Sequence, residues 1–175
     1  MRRLFILSLL CASVSLSGCA GSKAVRTSKP DPKAQTLVQN WAKVWVDCYD
    51  LTGSLPVSEG TPQANDNGQP ISEFSRSLDG RGGNLARTDT WNTWLHCYVS
   101  PGSEGAGQTF VIASVGPNRV FDSNLANAAR SSECFGDDVI CRVTLTGRRT
   151  PPSIELLKGI PVPKPMLVTP ASSPK

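Results

Sequence analysis

"DPKAQTLVQNWAKVWVDCYDLTG", residues 31–53, carries the clearest periodicity in this 175-residue chain, and the fold follows from it. Ala34, Leu37, Val38, Trp41, Val44, Trp45 and Cys48 recur at three- and four-residue steps, the stripe of an amphipathic helix. Asp31 is a good N-cap, Pro32 suits the first helical position, and Gly53 suits the left-handed residue that ends a helix. Two tryptophans on one stripe read as core, so this helix needs an apolar layer to lie on. "TWNTWLHCYVS" (90–100) and "TFVIASVG" (109–116), separated by the turn chemistry of "PGSEGAGQ", read as an antiparallel hairpin, and "CRVTLTG" (141–147) returns as a third strand. The expected class is α+β, an N-terminal amphipathic helix packed on a small antiparallel sheet.

The remaining segments are less regular. From 55 to 89 the chain is rich in Gly, Ser, Asn, Pro and Gln, with Asn67-Gly68 and Asp79-Gly80 as its strongest turn pairs. Within it "ISEFSRSL" suits one short helix or strand. "GRGGN" follows no buried strand, which argues against a phosphate-cradling loop. Residues 116–140 form a long excursion between the second and third strands. Residues 148–175 carry seven prolines and read as a disordered or loosely docked tail unable to hold sheet pairing for long.

At the other end, "MRR" is followed by the apolar run "LFILSLLCASVSL", too short for a permanent bilayer span. It closes on "LSGC", residues 16–19, which resembles the lipobox of bacterial lipoproteins. The resemblance implies a signal peptide over 1–18 and acylation of Cys19 by palmitate-type chains. Ala20 after the cysteine implies sorting to the outer membrane, facing the periplasm. Residues 19–30 then form a flexible tether to a globular domain over 31–147, with the tail over 148–175.

Loss of residues 1–18 removes Arg2 and Arg3, so the formal charge of +4 falls to +2, too balanced for a nucleic-acid binder. Cys48, Cys97, Cys134 and Cys141 remain beyond the anchor. An even count in an oxidising compartment reads as two disulfides with three possible connectivities. Cys134 with Cys141 is the natural short loop, which leaves Cys48 with Cys97. Chain entropy puts their worth at about 2.5 and about 4 kcal/mol.

The order of helix, variable loop, "DTWNTWLHCYV", turn, "FVIASVGPN", acidic loop and "GDDVI" resembles the C-terminal globular domain of the major pseudopilin of bacterial type II secretion systems, and related type IV pilin-like domains. Asp89 and Trp91 match the family's first motif. Ser114, Val115 and Gly116 fall on its Ser-Leu-Gly, and Asp137, Asp138 and Ile140 on its closing acidic segment. The likeness covers roughly residues 33–147. The family's long hydrophobic packing helix is replaced here by a lipobox, and Pro117-Asn118 stand where Ala and Asp are usual. The family binds calcium in this loop. The resemblance therefore implies a calcium site from the side chains of Asn118, Asp122, Asp137 and Asp138, with backbone from Ser114, Val115 and Ile140, in keeping with that ion's preference for mixed oxygen ligands. The bland alternative is that "GDD" is a solvated turn.

Catalysis has little to draw on. His96 is the single histidine, and its neighbour Cys97 must face the opposite side of a strand. No Gly-x-Ser-x-Gly elbow is present, and Glu59, Glu73 and Glu104 lie in glycine-rich loops without a paired carboxylate. The expected function is non-catalytic: a membrane-anchored lipoprotein with a pseudopilin-like domain, an accessory structural component of a type II secretion or type IV pilus-like apparatus. The alternative is an envelope binding or maintenance lipoprotein unrelated to filaments, and a lipid-anchored hydrolase comes third.

Overall fold

The computed structural model describes residues 31–56, 67–74, 76–78, 80–100 and 107–161. The predicted signal peptide, Cys19 and the tether lie outside them. Helix α1 (Pro32–Thr52) begins where the sequence places it, with Asp31 Oδ1 accepting from Lys33 N at 3.0 Å. It ends at Gly53, φ 81°, whose N–H donates to Tyr49 O. Strand β1 (Gln69–Pro70) leads into a 3-10 turn over Ile71–Phe74. Then come β2 (His96–Val99), β3 (Thr109–Ser114), helix α2 (Leu125–Ser131), β4 (Val139–Thr144) and β5 (Ser153–Leu156). The five strands form one antiparallel sheet in sequence order.

Register divides the sheet into two faces. Cys97, Ile112, Cys141 and Leu156 form one cross-strand row. With Phe110, Val139 and Val143 they meet the α1 stripe of Ala34, Val38, Trp41, Ala42, Trp45 and Tyr49. Trp45 packs on Phe74 and Phe110 with ring centroids 4.9 and 5.3 Å apart, while Trp41 Nε1 donates to Ala86 O at 2.7 Å. The alternate residues Tyr98, Val111, Ala113 and Ile140 meet Leu125, Ala126, Ala128 and Ala129 of α2. A central strand covered on both faces must be apolar throughout, and all six residues of β3 are buried.

The α+β class with one long helix against an antiparallel sheet therefore holds, with three departures. First, the excursion contains α2, which covers the second face. Asn124 caps it by accepting from Asn127 N at 2.9 Å. Second, residues 90–95 are not strand. Asp89 Oδ1 accepts from Trp91 N and Thr93 N, folding the segment into a turn closed by a Thr88–Trp94 bridge. Third, the proline-rich segment pairs after all. Pro151 and Pro152 precede β5 on an outer edge, where no donor is required of them, and Ser153–Leu156 run against Cys141–Thr144. Beyond β5, Ile160 N donates to Cys134 O and Gly136 N to Ile160 O, both at 2.8 Å. The folded unit thus passes the expected boundary at 147, and residues 162–175 lie outside the described residues.

Candidate metal centre

The loop between β3 and β4 closes on itself through its glycines. Gly116 takes φ 70°, and a Cβ there would stand 2.3 Å from Asp137 O, so the incoming and outgoing chains touch at a point only glycine allows. Gly136 takes φ 64°, and a Cβ there would lie 1.8 Å from Asp122 Oδ2. These two approaches bring Asp122, Asp137 and Asp138 together, with one carboxylate oxygen from each lying within 4.8 Å of the others.

Backbone donors hold the group from one side. Asp138 Oδ2 accepts from Asp122 N at 3.0 Å and Ser123 N at 2.7 Å, and Asp137 Oδ2 accepts from Asn118 N at 3.1 Å. Ser123 ties the arch by accepting from Phe135 N at 2.8 Å. On the other side, Asp137 Oδ1 and Asp138 Oδ1 are buried without a hydrogen-bond partner. Asp138 is 1% exposed. Burial raises its carboxyl to about 7 against the partial relief of the Ser123 bonds, and the neighbouring Asp122 charge adds to the rise. Asp137 is raised as well, first by burial and then by Asp122.

Three crowded carboxylates with two orphaned oxygens are satisfied by a proton or by a cation. All-oxygen donors, a hard anionic character and a loop fixed by backbone bonds fit calcium or a similar divalent ion. Asp122, Asp137 and Asp138 would hold it. Asn118 is brought to the cluster in a different role from the one expected. Its Nδ2 donates to Asp122 Oδ2 at 2.9 Å and its Oδ1 accepts from Val120 N, so it orients a ligand instead of offering oxygen. Ile140 O accepts from Leu157 N and is committed to the sheet. Ser114, at the end of β3, donates through Oγ to buried Asp89 Oδ2 at 2.7 Å and accepts from Gly116 N at 3.3 Å, while Val115 is packed in the turn. Ser123, Gly136 and Asp89 join the site beyond the residues expected from the sequence. A serine directly after Asp122, and a glycine directly before Asp137, were the available signals.

The expected disulfides are not formed. Cys48, Cys97, Cys134 and Cys141 are free and buried. Cys141 belongs to the α1 face and Cys134 to the α2 face, so the sheet itself separates the short-loop pair. Cys134 Sγ instead donates to Asp138 O at 3.5 Å. Cys48 Sγ and Cys97 Sγ donate to different carbonyls, Ser77 O and Gln69 O. His96 packs its ring edge on Phe121 with centroids 4.9 Å apart, Nδ1 lies 3.2 Å from Asn67 O, and burial lowers its pKa. Cys97 points to the opposite face. Among the described residues no helix is long and apolar enough to cross a membrane. No family model, no curated protein and no solved structure matches this chain.

Proposed function

We propose that the chain is a non-catalytic lipoprotein, anchored through Cys19, whose domain is locked by a divalent cation, calcium by preference, and serves as an accessory structural component of a type II secretion or pilus-like apparatus. The convergence of Asp122, Asp137 and Asp138 carries this proposal, because two ends of one long loop deliver carboxylates to a single point and leave two buried oxygens without partners. A helix lying along an antiparallel sheet, and the Asp89, Ser114–Gly116 and Asp137–Asp138 motifs meeting at one end of it, support the pilin-like part. The lipobox supports the anchor.

Calorimetric titration of the purified chain with calcium tests the site. One saturable event per chain is expected, abolished by Asp137→Asn combined with Asp138→Asn; an absence of heat and of any thermal shift at millimolar calcium refutes it. Chemical crosslinking in cells tests the assignment to an apparatus. Capture of secretion or pilus components supports it, and capture of other envelope proteins alone favours the alternative maintenance role.

A further inference from the structure

We infer that the pole of the domain bearing the carboxylate cluster docks on an anionic phospholipid surface through Arg119 and Val120 once the cluster is loaded with a divalent cation. This rests on the anchor and cation proposed above and adds a partner surface to them.

The cluster alone would say nothing of a ligand. Asp138 Oδ1, in a residue 1% exposed, is the independent observation, since it is a buried carboxylate oxygen of the cluster with no hydrogen-bond partner. Which way the cluster faces follows from a chain of hydrogen bonds. Asp31, where residues 20–30 join the domain, accepts from Thr90 Oγ1 at 2.7 Å through Oδ2. The adjacent Asp89 accepts from Ser114 Oγ, Ser114 accepts from Gly116 N, and Gly116 lies against Asp137 O. The tether and the cluster therefore share one end of the molecule. The other end of α1, where Arg148 donates to Asp50 O and Leu51 O, is a full helix of 21 residues away, roughly 30 Å. Eleven residues of chain from position 20 to position 30 reach at most about 40 Å from the acylated cysteine, so the tethered pole is kept within that distance of the surface while the far end of α1 can lie roughly 30 Å further out.

The surface features at that pole suit such a contact. Val120 is 61% exposed, beside Arg119, which is held at φ 60° on the tip of the loop. Ile160, 49% exposed, is pinned next to Gly136, and Trp94, 47% exposed, stands on the turn that Asp89 folds. Three of the five exposed large hydrophobics among the described residues thus lie at the cluster's end of the sheet, with an arginine to meet phosphate and a tryptophan suited to the headgroup layer. Three ionised carboxylates would repel anionic lipid; a divalent cation lowers their formal charge from −3 to −1 and Arg119 offsets the remainder, which makes the docking dependent on the metal.

The acylated full-length protein is reconstituted in phosphatidylcholine–phosphatidylglycerol vesicles with brominated acyl chains, carrying either Val120→Trp or Leu51→Trp. Calcium is expected to quench the added fluorescence of the Val120→Trp protein several-fold more than that of the Leu51→Trp protein. Arg119→Glu in the Val120→Trp background should lose the quenching while keeping the calcium-induced rise in melting temperature. Equal quenching at both positions, or quenching indifferent to calcium, with the melting rise intact, overturns the docking and leaves the cation site standing. If calcium produces no melting rise, the cation site and the docking fall together.

Discussion

Asp138 is held by two demands that conflict at neutral pH. Its Oδ2 takes two backbone N–H donors, which favour the carboxylate, while burial, aided by the Asp122 charge, favours the acid and wins. A folded pKa of about 7 against an ordinary 3.8 means the folded chain holds a proton that the unfolded chain has released. Without metal, the stabilisation is full below about pH 4 and is lost as pH rises toward 7, a change on the order of 4 kcal/mol at about 1.4 kcal/mol per unit. Asp137 shifts in the same direction and adds to the slope. Urea unfolding in chelator across pH 4–8 should show that fall, and saturating calcium, which favours the ionised form, should flatten it. Asp138→Asn keeps an acceptor for the two N–H groups and places an amide donor toward the cluster. It should therefore be more stable than the parent at pH 7 in chelator and blind to calcium. Gly116→Ala tests the closure itself: a left-handed φ and a Cβ 2.3 Å from Asp137 O should cost about 2–4 kcal/mol in the same assay.

At the scale of elements, legibility in the sequence tracked length and local chemistry. Helix α1 announces itself through Asp31, Pro32, its stripe and Gly53, and each does what its type suggests. Helix α2 spans seven residues, and the alanines of "LANAARS" give a stripe too weak to separate from loop, although Asn124 supplied a cap. β5 was hidden by composition. Proline count argues against a strand only where the ladder needs the missing donor, and Pro151 and Pro152 sit just outside it. The cluster was legible as a set of acids because Asp137-Asp138 and Asp122 are frequent calcium-type ligands, yet the direction of the Asn118 amide depends on where Val120 N lies, which no local pattern reveals. Cysteine spacing misled for a related reason: sequence distance says nothing of the sheet face on which each thiol falls. Non-reducing peptide mapping of the protein purified under oxidising conditions should recover Cys134 and Cys141 without a bond between them. A chain ended at Gly147 should lose cooperative folding, because it deletes β5 and with it Leu156 and Leu157, which cover Cys141 on one face and Ile140 on the other, whereas one ended at Pro161 keeps every strand among the described residues.

On the scale of the whole molecule, the cluster lies where both layers depend on it. Asp137 and Asp138 immediately precede β4, which packs on α1, while Asp122 and Ser123 immediately precede Asn124, the cap of α2, which packs on the other face. Asp138 joins the two by accepting from Asp122 N and Ser123 N, and Asp89 with Ser114 extends the connection to the start of α1. A ligand that favours this junction is expected to stabilise α1, the sheet and α2 together, because the junction ties the end of each to the others. Mass action gives about 2.7 kcal/mol at a hundredfold excess over the dissociation constant, and for a domain of this size that is roughly 10 °C in melting temperature. Calorimetric scans with calcium should therefore show a single transition moving upward as a unit. A low-temperature shoulder that alone responds to calcium would mean the loop opens independently of the sheet, and the junction would then be local trim on a fold that stands without it.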